Sequence, residues 1–217
     1  MTGDRNTAAH REAYLEAADL SVGLLRDPAV AAAWQEPSAL AEFRVSGLAG
    51  HLAWQILCVG YTLAQPVQGE PIPLVDHYGQ SRWTQVGIDD EANAGVRRRG
   101  EEISARGAAA LAEETAAEVA KLRTVLPAEA VDRVVRLPWA PWELTLHDFL
   151  TTRMMELAVH ADDLAVSVGV PTPEFPAAVL EPVVGLLSGL AVRRHGATAV
   201  LRALSRAERA PATIAAF

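Results

Sequence analysis

Apolar residues recur three to four positions apart along most of this chain, which is the period of an α-helix with one buried face. Ala13, Ala17, Leu20 and Leu24 set this rhythm in a first helix predicted over Thr7–Arg26, stopped by Asp27-Pro28. Residues 29–33 add one turn before Glu36-Pro37-Ser38 interrupts the chain. Ser46 is the predicted N-cap of a second helix that runs to Leu63 and carries His51, Trp54 and Cys58. Three prolines and two glycines then fill Gln65–Gly79, which reads as a long loop, with His77 and Tyr78 as candidates for a lid. A third helix is expected over Ile88–Leu126, with Asp89, Asp90 and Glu91 at its start and Pro127 at its end. The alternation over Val131–Leu137 predicts a strand that pairs with Trp142–Thr145 across Pro138–Pro141. Thr145 and Asp148 then open a fourth helix, Leu146–Val168, closed by Gly169 and Pro171. A fifth helix is expected over Pro176–His195 and a short one over Ala197–Arg206.

Composition agrees with an all-α reading, because alanine, the best helix former, fills nearly a fifth of the 217 residues. The single cysteine excludes an internal disulfide, a Cys-rich zinc module and a dithiol redox centre. With 19 basic and 27 acidic side chains the net charge is −8, which disfavours nucleic acid as a partner. Residues 1–12 are polar with both charge signs, and charged residues break every long apolar run, so the expectation is a cytoplasmic protein without a membrane span.

Candidate chemistry concentrates in the fourth helix. Glu156 and His160 are four residues apart, so they share one helix face and can reach a single divalent cation. A histidine from a facing helix would complete a three-ligand site with open positions, and His51, in an otherwise apolar stretch, is the candidate. Read on spacing alone, Glu156 and His160 are a helix salt bridge before they are ligands, and His51 is a core histidine hydrogen-bonded to a backbone carbonyl. Glu143 and His147 repeat the spacing, but Glu143 precedes the Thr145 cap and lies outside the helix. Arg153 is positioned either to clamp a substrate carboxylate or to pair with Glu156, and Asp163 to orient the His160 ring. Arg97–Arg99 either recruit an anionic thiol or form a solvated face. Trp54, Trp83, Trp139 and Trp142 read as packing residues.

His51 within Leu48-Ala49-Gly50-His51-Leu52-Ala53-Trp54, together with Glu156 and His160 in the segment 154–168, resembles the metal-binding pattern of the mycothiol-dependent maleylpyruvate isomerase family, part of the DinB-like superfamily. The resemblance implies a DinB-like four-helix bundle, up-down-down-up, over residues 1–170, with a short β hairpin before the fourth helix. Residues 171–217 form a C-terminal helical extension packed on it. It further implies a divalent metal, zinc before nickel or iron, on His51, Glu156 and His160. Mycothiol is then the thiol cosubstrate, activated for attack on a small electrophilic molecule. Fuller members carry a separate C-terminal domain, whereas residues after Gly169 read as helices here, so maleylpyruvate is not carried over as substrate. The competing expectation is a non-catalytic bundle that binds a metal or ligand. An apolar face on the fifth helix (Val183, Leu186, Leu187, Leu190) either packs within the chain or forms a homodimer.

Overall fold

A computed structural model describes residues 2–81 and 89–217, with side chains from Asn6 onward; Ile88 and Trp83 therefore lie outside the described residues. In chain order the elements are α1 (Thr2–Leu25), α2 (Pro28–Ala32), α3 (Val45–Leu63), α4 (Leu74–Gln80), α5 (Glu91–Ser104), α6 (Ala108–Val125), β1 (Val134–Arg136), β2 (Glu143–Thr145), α7 (Leu146–Val168), α8 (Ala177–His195) and α9 (Ala197–Ser205). The protein is mostly helical, as the apolar periodicity requires.

The long helices α1, α3, α6 and α7 pack side by side, and α5 lies along α3 on the outside. Their shared interior holds Tyr14, Leu48, Leu52, Ile56, Leu122, Phe149 and Leu150, all essentially inaccessible to water. Helix α8 packs on α7 and α1. Its Val183, Leu186 and Leu190 are buried there, so the apolar face noted in the sequence is used within the chain.

Local signals hold best where a side chain closes its own turn. The Thr145 hydroxyl accepts from the Asp148 amide at 3.0 Å and caps α7. Gly169, at φ +72°, ends the same helix in the left-handed conformation that residues with a Cβ adopt at a cost. The hairpin is antiparallel with Val135 opposite Leu144, though β1 is shorter than the alternation implied. The Ile72 amide also donates to the Glu143 carbonyl at 3.0 Å, tying the preceding loop to β2.

Four expectations need correction. Helix α1 begins at Thr2, five residues earlier than expected. Ser46 does not cap α3: the helix starts at Val45, whose amide donates to the Glu36 carbonyl while that of Ser46 donates to Trp34. Backbone acceptors thus satisfy the helix start, and the Ser46 hydroxyl donates instead to Glu101 at 3.0 Å. Residues 74–80 of the supposed loop form α4, and its His77 and Tyr78 are buried. The helix expected to run unbroken to Leu126 is two helices, because Gly107 takes φ +91° and turns the chain between α5 and α6.

That break lets α5 return against α3 at very close range. A Cβ on Gly50 would stand 2.0 Å from the Gly100 carbonyl oxygen, and one on Gly100 would stand 2.3 Å from that of Gly47. Neither helix can carry a larger residue at the crossing. We expect Gly50→Ala and Gly100→Ala each to destabilise the fold by about 1–3 kcal/mol in urea denaturation. Gly185→Ala, where the added methyl meets nothing within 4 Å, should be neutral or slightly stabilising in the same assay.

Candidate metal centre

His51 sits in the second turn of α3, and Glu156 and His160 occupy successive turns of α7. Packing of α3 against α7 turns the three side chains onto one point. His51 Nε2 is 3.2 Å from His160 Nε2 and 3.6 Å from Glu156 Oε2, and the latter two atoms are 3.1 Å apart. Bond lengths of about 2.0–2.2 Å in a tetrahedral zinc site place neighbouring ligand atoms roughly 3.3 Å apart. The triangle already has that size, so the donor set fits a divalent ion without rearrangement.

Two imidazoles and a carboxylate held this close also perturb one another's protonation. Burial penalises the charge on Glu156, yet hydrogen bonds from His160 and His51 outweigh it and hold the carboxyl well below its usual range. Burial likewise opposes protonation of His160, but Asp163 and then Glu156 overcome it and carry the imidazole up to about 9. His51 goes the other way: burial dominates and lowers it, against the hydrogen bond to Glu156. His160 Nδ1 and Asp163 Oδ2 are 2.9 Å apart. That bond puts a hydrogen on Nδ1, fixes the ring, and leaves Nε2 as the metal-facing nitrogen when the ring is neutral. Asp162, in contrast, is exposed and accepts from the Thr172 hydroxyl at 2.6 Å.

Arg153 is brought to the same region but not into contact with Glu156, which acts on it through charge alone. Its side chain is only 6% exposed; Nε donates to Thr152 Oγ1 at 3.0 Å and Nη1 donates to Gln55 Oε1. The guanidinium also lies against aromatic faces, 5.7 Å from the Trp139 ring centre and 5.3 Å from that of Phe149. Gln55 is the residue the sequence reading passed over. It spans the site by accepting from Arg153 while donating to the His51 carbonyl at 3.0 Å. Its position four after His51 on an apolar helix was the available signal.

The remaining candidates lie around or away from this point. Trp142 Nε1 donates to His77 Nδ1 at 2.9 Å, and each fixes the other. Arg99 stacks over Trp54, while Arg97 and Arg98 line a separate groove. Glu143 belongs to β2 and pairs with Arg136 at 2.8 Å, and His147 stacks on His10 with ring centres 3.7 Å apart, so this second Glu/His pair makes no site. Cys58 is fully buried, and burial pushes its thiol up to about 11, so it is protonated at neutral pH.

A family model described as the mycothiol maleylpyruvate isomerase N-terminal domain matches residues 14–165. The chain belongs to this family. The region shared with the mycothiol maleylpyruvate isomerase family contains His51, Glu156 and His160, and stops short of α8 and α9. No curated protein and no solved structure gave a significant match. Among the described residues, no helix is long and apolar enough to cross a membrane.

Two outcomes are expected. Asp163→Asn should weaken divalent-metal binding about 10–100-fold, measured by competition with a chromogenic chelator, because the amide no longer orients His160 or favours its Nδ1–H tautomer. His77 gives the fold an acid-sensitive element. Burial, reinforced by the nearby Arg153 charge, lowers it from 6.5 to about 4. The unfolded chain therefore takes up the proton first as pH falls. Stability should be unaffected by this group above about pH 6.5 and fall by roughly 3 kcal/mol on approaching pH 4. Denaturation midpoints of the wild type and His77→Gln across that window should show a shallower decline in the variant.

Proposed function

We propose that this protein is a metal-dependent thiol transferase or isomerase that activates mycothiol for attack on a small electrophilic molecule. The convergence of His51, Glu156 and His160 donor atoms within 4.8 Å carries the reading, and family membership names the thiol. Zinc is the metal we assign, since two imidazoles and a carboxylate suit its preference for nitrogen and oxygen donors and leave a position for a fourth ligand. A divalent ion bound there supplies Lewis acidity that lets a thiol lose its proton near neutral pH. The fold we assign is the DinB-like bundle, up-down-down-up, formed by α1, α3, α6 and α7. Residues 171–217 act as a helical extension of the 1–170 unit, and the protein works in the cytoplasm.

The chain's own residues then divide the work. Glu156 serves as a ligand rather than as a base, because its carboxyl is held in the ionised form. Asp163 keeps the His160 ring oriented with its hydrogen on the far nitrogen. Arg153 provides a fixed positive charge in a largely dry wall, where it favours a substrate that carries negative charge at the reacting end. Trp139 and Phe149 hold that guanidinium from its faces. Cys58, buried and protonated, cannot stand in for the external thiol.

His51→Ala and His160→Ala test the assignment directly. Each variant should retain the helical circular dichroism of the wild type, lose stoichiometric metal by elemental analysis, and lose thiol-dependent turnover by at least about 100-fold. Undiminished turnover in both metal-free variants would refute the metal-dependent mechanism.

A further inference from the structure

Gln55 lies one turn after His51 on α3 and is only 1% exposed, so its amide must find its hydrogen-bond partners inside the protein. The amide has one possible orientation. A guanidinium can only donate, so the atom that receives Arg153 Nη1 is Oε1, and Nε2 is the end turned to His51. One hydrogen of Nε2 goes to the His51 carbonyl at 3.0 Å. The other lies toward the His51 ring nitrogen Nε2, 3.4 Å away.

That separation falls within the spacing of the three candidate ligand atoms, which stand 3.2, 3.6 and 3.1 Å from one another. One end of Gln55 therefore stands a ligand-to-ligand distance from His51 Nε2, yet it presents N–H, which donates and does not ligate. The ligating atom of the amide, Oε1, is held away by Arg153. A glutamate at this position would keep the pairing with Arg153 and bring an oxygen to the same place. Glutamine thus leaves the fourth position of the centre to a molecule from outside.

A ring nitrogen that holds a metal has no lone pair left to accept a hydrogen bond. In the loaded site the second Gln55 hydrogen needs another acceptor, because a buried donor left without one is costly. An atom that binds the ion beside His51 supplies it. The charge of Arg153 on Oε1 polarises the amide and strengthens Nε2–H as a donor.

We propose that Gln55 is a specificity-determining residue of the metal centre: held in one orientation by Arg153, it keeps the fourth position free of protein ligands and reserves an N–H for an external ligand that arrives as an anionic acceptor. The inference rests on the thiol-activating reading of that centre and deepens it, since the same donor favours a thiolate over the neutral thiol.

The test uses the full chain loaded with cobalt(II) as a spectroscopic replacement for zinc and titrated with 2-mercaptoethanol at a series of pH values. Sulfur-to-cobalt charge-transfer absorption reports thiolate binding, and the visible bands report the protein ligands. Gln55→Met, similar in size but without a donor, should keep the cobalt content and visible spectrum of the wild type. Its affinity for the thiol should fall about tenfold, and the pH at half-formation of the thiolate complex should rise by about one unit. Gln55→Glu should change the visible spectrum before any thiol is added and weaken thiol binding at least about tenfold; it keeps the test readable if Gln55→Met does not fold. Unchanged affinity and pH midpoint in either folded variant, or loss of cobalt from Gln55→Met, would overturn the proposal. Azide, an anion without sulfur, separates the two readings. Azide binding that weakens in Gln55→Met, with no thiol bound by the wild type, would sustain the role of Gln55 and refute the thiol-activating reading. Thiol binding of equal affinity in wild type and Gln55→Met would do the reverse, and cobalt protein that takes up neither ligand would overturn both.

Discussion

Helix α3 is gripped from two sides, and the site depends on both grips. On one side Gly47 and Gly50 meet Gly100 of α5 at backbone contact, a separation that admits no Cβ. On the other, His51 reaches α7 and closes on Glu156 and His160. A helix pinned this closely cannot rotate or slide by much without collision, because packed interiors deform in discrete steps rather than continuously. His51 follows Gly50 directly, so the glycine crossing fixes the placement of the one metal-site residue that α7 does not itself supply.

The same region concentrates buried polar groups that would be costly in isolation. Arg153 is buried, Glu156, His51 and His160 are each no more than 15% exposed, and each is compensated by a neighbour on another turn or helix. Gln55 is the clearest case: one side chain holds the α3 backbone and the α7 arginine together. A buried network of this kind favours one arrangement strongly, since any slip leaves charges unpaired in a medium of low dielectric. Around it Trp139 and Phe149 present their ring faces to Arg153, and Trp142 holds His77 by a hydrogen bond.

Much of the local structure was legible along the chain. The Thr145 cap, the Gly169 stop, the hairpin and the helices of the C-terminal segment are each decided by residues within a turn of one another. The failures share a cause. Ser46 looked like a cap, but its hydroxyl was claimed by Glu101, more than fifty residues away. The 88–126 segment looked like one helix because alanine-rich periodicity continues past Gly107, and only the packing of α5 on α3 requires the chain to turn there. Proline-rich residues 65–79 read as loop, yet Pro73 can precede a helix as easily as end one, and α4 forms with His77 and Tyr78 buried.

Glu156 and His160 share a face by helix geometry alone, so the sequence by itself determined that a carboxylate and an imidazole would stand together. It could nominate His51, but periodicity relates residues within one helix and says nothing of the distance between two. Only the tertiary structure brings His51 Nε2 to within 3.2–3.6 Å of both partners. It likewise removes Arg153 from Glu156 to Gln55, and sets Phe43 between the centre and a groove whose lining comes from segments fifty residues apart. Those relations are set by how closely whole helices approach, which depends on the glycines and side-chain volumes at their crossings.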